Sequence, residues 1–487
     1  MGAGIAQVAA ASGARTLLHD PDPAALERGL AAARERLQGE GALECAPGLA
    51  ALAGCDLVIE AAPESLDLKR ALFADVARHV TADCVLATNT SSLSVTAIAA
   101  GVPGPERVVG MHFFNPAPVM RLVELVAGDA SSEAALARAR AAGEAMGKRV
   151  IDAADGPGFL VNRCNRPFAL EALRIVQERL ATPEQVDRIV RLGGGYRMGP
   201  FELMDLVGLD VGLEVSKSLY AQSFGEPRWR PSPLVERLVA AGRLGRKSGR
   251  GWYAYPGHRD EDPPPPEVGG GDALLVVAGE SPVAIDLFEA AADAGWDVAT
   301  PQEAGGEIPY LIVDCGGTED DPPLEGGPQL ILCDGAPLSA IDTGGTAAGF
   351  YALPGAGLVE LTRSPTTSRA AVDAAERFVA SIGRHAEWVG DAPGLVLGRI
   401  ACQLVNEACF ALGEGAGSAA DIDAGMELGL NHPAGPLRRG DEIGLVEVLA
   451  VLMGLQDEYR EERYRPAPAL LRAARAGAPL SAEPDSA

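Results

Sequence analysis

The chain repeats itself. Leu122-Val123-Glu124-Leu125 returns as Leu358-Val359-Glu360-Leu361, an offset of 358 − 122 = 236. In the same register Asp155-Gly156-Pro157-Gly158 returns as Asp391-Ala392-Pro393-Gly394, Gly199-Pro200 as Gly435-Pro436, and Gly208-Leu209 as Gly444-Leu445. Matches that share one offset predict an internal duplication, so the second half is bound to the fold of the first. At 487 residues the chain also exceeds what one hydrophobic core supports.

Within the first half, strand-like runs alternate with helical ones. Strands are expected at 16–20, 56–60, 84–87, 108–111 and 122–126, with helices at 5–12, 23–37 and 64–79. This alternation predicts a parallel, doubly wound α/β sheet. From Pro157 the pattern turns helical, over 158–181, 183–192 and 199–222, and Lys247-Ser248-Gly249-Arg250-Gly251-Trp252-Tyr253 closes that part. The Pro- and Gly-rich stretch 257–272 reads as a linker. The expected domains are therefore 1–153 (α/β), 154–256 (helical), 273–389 (a degenerate α/β copy) and 390–478 (a second helical part), with a tail at 479–487. Leu274-Leu275-Val276-Val277-Ala278-Gly279 reads as a buried strand. Aligning Gly295 on Gly13 puts its counterpart before Met1, so the first half is expected to lack its first strand, the chain beginning late.

A net charge of −26 disfavours nucleic acid or an anionic membrane as partner, and a polyanionic ligand would need local basic residues. The eight cysteines contain no C-x-x-C pair, which fits neither a disulfide framework nor a zinc site. No apolar run reaches transmembrane length and no basic stretch precedes one. Reduced thiols, no metal and a cytoplasmic location are expected.

The chemistry lies between residues 88 and 124. Asn89-Thr90-Ser91-Ser92-Leu93 is a polar turn after an apolar strand, and Gly110-Met111-His112-Phe113-Phe114-Asn115-Pro116 follows, then Glu124. A histidine that takes a proton, a carboxylate that orients it and a hydroxyl that holds a substrate oxygen are what hydroxyl oxidation requires. At 112 + 236 the copy has Ala348, Asn162 maps to Gly398, and the equivalent turn reads Cys333-Asp334-Gly335-Ala336-Pro337. Glu360 alone remains, so the second half is expected to be scaffold.

These runs, together with Met1-Gly2-Ala3-Gly4-Ile5-Ala6 and Gly158-Phe159-Leu160-Val161-Asn162-Arg163, closely resemble the 3-hydroxyacyl-CoA dehydrogenase family over nearly the whole chain. The resemblance implies a Rossmann-like α/β domain for NAD plus an all-α C-terminal domain, the pair duplicated as in longer bacterial members. It implies NAD-dependent oxidation of an (S)-3-hydroxyacyl-CoA to the 3-oxoacyl-CoA, a step of β-oxidation-like pathways. His112 would be the catalytic base, Glu124 its partner, and Ser91 and Asn162 the holders of the substrate oxygen. Gly2 would be the third glycine of the dinucleotide fingerprint, allowing close helix–strand packing. Asp20 would bond the adenosine ribose and favour NAD over NADP. Glu64, Lys69, Asn89 and Asn115 would line the cofactor side. Blander roles stay open: a helix cap for Asp20, a solvated helix face for Glu64 and Lys69, a turn for Asn115. Arg246 and Lys247 are candidates for CoA phosphates or simply for a solvated loop. The specific substrate is open between 3-hydroxyadipyl-CoA and 3-hydroxybutyryl-CoA. The rivals are a catalytically inactive, crystallin-like scaffold and a dehydrogenase acting on β-hydroxy acids without CoA. In single-copy relatives the helical domain is the dimer contact, so the two helical parts are expected to pack as an intrachain pseudo-dimer, with a homo-oligomer also open.

Overall fold

The computed structural model describes residues 1–37, 42–257, 262–316 and 326–482. Residues 258–261 of the expected linker and the end of the tail, 483–487, lie outside the described residues. The chain forms two compact units, Met1–Cys164 with Glu414–Asn431, and Asn165–Gly413 with His432–Ala487.

The first unit holds β1 (Thr16–Leu18), β2 (Leu43–Cys45), β3 (Leu57–Glu60), β4 (Val85–Thr88), β5 (Val108–Phe113), β6 (Leu122–Ala127) and β7 (Arg149–Ala154). β3-β4-β5-β6-β7 form one sheet, while β1 and β2 pair as a separate parallel ribbon. β4 and β5 are buried along their whole length, which is why they read as unbroken apolar runs rather than alternating ones. The sheet is not all parallel as expected, because β6 runs antiparallel to β5. Only residues 114–121 join β5 to β6, enough for a hairpin loop and too few for a crossover helix. Gly110 lets the two strands close, since a Cβ there would lie 2.8 Å from Val126 Cβ and 2.9 Å from Val95 Cγ2.

The second unit holds β8 (Leu274–Ala278), β9 (Asp297–Ala299), β10 (Leu311–Asp314), β11 (Gln329–Leu332), β12 (Ala348–Tyr351), β13 (Leu358–Arg363) and β14 (His385–Trp388) in one sheet, ordered β14-β13-β12-β11-β10-β8-β9. β10 to β14 repeat the pattern of β3 to β7: parallel, parallel, antiparallel, parallel. β8 joins β9 to β10 here, whereas β1 and β3 belong to different sheets in the first unit.

The expected helix over 158–181 is broken. Val161–Cys164 ends before Asn165, and Arg166–Gln177 starts afresh with Pro167 in its first turn, where a missing N–H costs nothing. The run 199–222 is likewise split by Gly208, at φ +102. Each sheet is covered by a corresponding helix drawn from the far half of the chain. In the first unit Ala419–Leu430 packs on β6 and β7, with Ala154 N donating to Ala416 O at 2.9 Å. In the second, Pro183–Leu192 packs on β13 and β14, and Gln185 Nε2 donates to Glu387 Oε1 and Trp388 O, each at 3.0 Å.

The two helical parts touch inside the second unit, where Arg166–Gln177 lies along Leu397–Gly413. Arg399 is fully buried between them and donates to Glu178 Oε2 at 2.7 Å, Glu171 Oε2 at 3.2 Å, Tyr459 Oη at 3.1 Å and Tyr464 Oη at 3.0 Å. Arg399→Met should cost about 3 kcal/mol or more, because it strands buried Glu171 without this cation. Urea denaturation measures it, and a loss under about 1 kcal/mol would mean that apolar packing alone holds this seam.

Glu360 on β13 is wholly buried, and burial raises its pKa to about 8 despite hydrogen bonds from Leu397 N and Val396 N. The folded form thus binds a proton that the unfolded chain has released. The stability it contributes is full below the ordinary carboxylate pKa and falls as pH rises toward 8. Glu360→Gln should flatten the decline in denaturation midpoint over that window, and an unchanged slope would show that Glu360 is already ionised.

Candidate active site

The β5–β6 hairpin puts His112 directly opposite Glu124. His112 Nδ1 lies 2.5 Å from Glu124 Oε2, with the histidine side chain 7% and the glutamate 0% exposed. An ionised carboxylate only accepts, so Nδ1 carries the proton and Nε2 keeps its lone pair. The other oxygen, Glu124 Oε1, accepts from Leu160 N at 3.1 Å and Val161 N at 2.8 Å. A left-handed pair aims those amides: Gly158 at φ 75 and Phe159 at φ 49, a costly conformation for a side chain as large as phenylalanine. The Phe114 and Phe159 rings flank the imidazole, with centroids 4.7 and 6.0 Å away.

Asn162 follows this turn, and its Nδ2 donates to Ser91 O at 3.4 Å, which brings the expected serine and asparagine together. The Ser91 loop is held from below. Glu64 Oε1 accepts from Thr90 Oγ1 at 2.6 Å and from Ser91 N, Ser92 N and Ser92 Oγ, each at 3.0 Å. Burial would raise the Glu64 pKa, but the Thr90 hydroxyl, the Lys69 charge and the loop donors outweigh it and lower it overall. Lys69 is neither on a solvated helix face nor open to a cofactor. It is fully buried, with Nζ 2.8 Å from Glu60 Oε1, 3.2 Å from Ala62 O and 3.4 Å from Glu64 Oε2. Sequence reading missed it as an internal cation because Leu68 and Asp67 beside it are exposed.

Asn89 gives its carbonyl oxygen to Phe113 N at 2.8 Å, tying the end of β4 to the end of β5. Asn115 is exposed at the start of the hairpin loop. Asp20, just past β1, accepts from Asp22 N at 2.9 Å, while Asp22 and not Asp20 caps the helix Pro23–Glu35. Gly2 opens the helix Gly2–Ala11, but tight packing does not require it. A Cβ there would meet only Ala61 Cβ, at 3.8 Å, while Gly4 is tighter, at 3.2 Å from Pro118 Cδ. That helix has no side-chain cap and no acid in its first turn, so its first N–H groups suit a pyrophosphate. With the Asp20 carboxylate, these residues fit a dinucleotide.

Asp155 is a further positioning residue, quoted in the repeat but not expected in the site. It accepts from Ser94 Oγ at 2.8 Å, Val95 N at 3.0 Å and Thr96 N at 2.8 Å, fixing the short helix that follows the Ser91 loop. Its persistence as Asp391, which accepts from Leu338 N at 2.7 Å and Ser339 N at 2.9 Å, was the available signal. Among the described residues no cluster could hold a metal, and no helix is long and apolar enough to cross a membrane.

The second sheet corrects one expectation. The residue opposite Glu360 is Tyr351, not Ala348. Gly110 corresponds to Gly349 (349 − 110 = 239) but Glu124 to Glu360 (360 − 124 = 236), so this hairpin loop is three residues shorter. The Tyr351 ring is buried against Gly398: a Cβ there would lie 2.6 Å from Tyr351 Cζ. In the same unit Lys247 pairs with Asp210 at 2.5 Å and Arg246 lies over the Tyr255 ring, so both are already engaged locally.

Comparison with known proteins accords with this geometry. Residues 1–156 match the model of the 3-hydroxyacyl-CoA dehydrogenase NAD binding domain, and residues 158–255 and 394–483 both match that of the C-terminal domain. The chain is 36% identical over 484 residues to 3-hydroxyadipyl-CoA dehydrogenase of Escherichia coli K12, covering 96% of this chain and 94% of the relative. It belongs to the 3-hydroxyacyl-CoA dehydrogenase family. A crystal structure of 3-hydroxybutyryl-CoA dehydrogenase from Escherichia coli K12 is similar at a TM-score of 0.82 and 35% identity, over 98% of this chain and 96% of that one. The 3-hydroxybutyryl-CoA dehydrogenase of Mycobacterium tuberculosis is 42% identical, but over 52% of this chain and 95% of its own length.

Replacing Glu64 by Ala should release the Ser91 loop. Amide exchange at Ser91 and Ser92 should speed up by roughly tenfold or more. Unchanged protection would mean that the loop does not depend on this carboxylate.

Proposed function

We propose that this chain is an NAD-dependent dehydrogenase of (S)-3-hydroxyacyl-CoA thioesters, with His112 as catalytic base. The observation that carries the reading is the buried His112–Glu124 pair, fixed in tautomer by a carboxylate that is itself locked by two backbone amides. His112 Nε2 takes the proton of the substrate 3-hydroxyl. Glu124 stabilises the imidazolium that forms and keeps the ring from turning. Asn162 and Ser91 hold the substrate oxygen as it becomes a carbonyl. NAD, when bound, accepts the hydride from C3. Gly2 and its helix N-terminus would hold the pyrophosphate and Asp20 the adenosine ribose, with Asn89 and Asn115 on the same side. Glu64 and Lys69 act one step back, by holding the loop that carries Ser91.

The acyl group in this reading is that of 3-hydroxyadipyl-CoA or 3-hydroxybutyryl-CoA, since relatives named for each match nearly the whole chain. We further propose that the chain is an internal duplication divided near 1–153, 154–256, 273–389 and 390–478, in which the second α/β part has no catalytic site. The twofold match of the C-terminal domain and the shared strand order support this. The helical parts joined at Arg399 then form an intrachain pseudo-dimer.

Oxidation of NADH with acetoacetyl-CoA tests the central reading. His112→Asn should lower kcat by roughly 100- to 10,000-fold with little change in KM. Glu124→Gln should do the same more mildly and move the pH profile. Full activity of His112→Asn would remove His112 as the base.

A further inference from the structure

Beyond Cys164 the first unit also includes residues 414–431. This segment comes very close to elements of the His112 site at three glycines. A Cβ on Gly417 would lie 2.8 Å from Leu160 Cδ2, one on Gly425 2.9 Å from Val161 Cγ2, and one on Gly429 2.8 Å from Leu122 Cδ2 and 3.4 Å from Phe114 Cε1. At the start of the segment Glu414 Oε2 accepts from Arg163 Nη2 at 2.7 Å, across 251 residues of chain. Arg163 is buried while Glu414 is half-exposed, so the pair directs the arginine more than it stabilises the fold.

Most of the residues met in this way adjoin a group of the proposed reaction. Leu160 N and Val161 N are the donors to Glu124 Oε1, Arg163 follows Asn162, and the Phe114 ring stands 4.7 Å from that of His112. The two donors leave a turn in which Gly158 and Phe159 are left-handed, and so costly a conformation persists only where its surroundings over-determine it. Gly417 and Gly425 supply such surroundings, against the side chains of Leu160 and Val161. We infer that residues 414–431 are a positioning element of the His112 site, acting through Leu160, Val161, Arg163 and Phe114. Glycine at 425 then serves the site and not the helix Ala419–Leu430, whose interior alanine would favour. An alanine methyl there would press on Val161 and shift an amide that orients Glu124. Displacing a catalytic group by ~1 Å costs about 100-fold in rate, so a shift of a few tenths is measurable. The inference rests on the dehydrogenase reading above and deepens it, because it makes the geometry of the reacting groups depend on a remote part of the chain.

The test follows NADH oxidation with acetoacetyl-CoA by the full chain, by Gly425→Ala, by Val161→Ala and by the double variant. Gly425→Ala should lower kcat by roughly tenfold and leave KM within about twofold, because it shifts reacting groups and not the binding surface. Val161→Ala removes the methyl that the new Cβ would meet and keeps the amide, so the double variant should recover most of the loss. A merely structural defect would instead deepen in the double variant, which loses a second packed side chain. Wild-type kcat in Gly425→Ala, or a double variant no better than Gly425→Ala, would overturn the inference. If the wild type turns over no thioester, the dehydrogenase reading fails by itself and amide exchange decides the positioning. Exchange at Leu160 and Val161 should quicken by roughly tenfold in Gly425→Ala and slow again in the double variant, and unchanged protection would reject the role. If Gly425→Ala does not fold, Glu414→Ala takes its place at a half-exposed position. It should lower kcat by roughly threefold, and Glu414→Gln, which still accepts from Arg163, should keep most of the activity. Equal kcat for Glu414→Ala and the wild type would then overturn the inference.

Discussion

The geometry of the first unit hangs on one buried carboxylate. Glu124 is fully buried, so each of its oxygens needs a donor. One oxygen takes the imidazole of His112 and the other takes two backbone amides. Those amides are available only because Gly158 and Phe159 adopt left-handed conformations, and that turn is also what delivers Asn162 to the Ser91 loop. A single desolvated charge thus joins the hairpin, the turn and the asparagine. Glu360, which burial keeps protonated, meets a similar turn: it accepts from Val396 N and Leu397 N, one on each oxygen, after Gly394 and Leu395 at φ 66 and 43. There the histidine is absent, yet the glutamate and its turn persist, so this part of the design belongs to the fold before it belongs to any chemistry.

Much of this was legible in the sequence. The apolar runs gave β3 to β6 of the first sheet and β8 of the second, and the resemblance around Ser91, His112, Glu124 and Asn162 singled out four residues that all lie in one unit. Three kinds of information were not legible. Strand direction was misjudged at β6, since an apolar run looks the same in either direction and only the loop length distinguishes hairpin from crossover. The burial of Lys69 was hidden because a lysine among polar neighbours on a helix reads as solvated, while its partner Glu60 sits at the end of another element. The counterpart of His112 was missed because a constant offset assumes constant loop lengths, and the second hairpin is shorter.

The glycines illustrate a related limit. The sequence singles out Gly2 for close packing and gives no such role to Gly110, but of the two it is Gly110 that lies where two strands and Val95 leave no room for a Cβ. The need for glycine was set by what approaches it in space, and the neighbours that approach Gly110 come from other elements of the unit.

Tyr351 and Gly398 have become mutually dependent. An asparagine at 398 would collide with the tyrosine ring, and a histidine at 351 would leave part of the ring's volume empty above Gly398. Either change alone is therefore penalised, and the two are accommodated only together: the packing at this point couples positions 398 − 351 = 47 residues apart, so neither can be varied as an independent site.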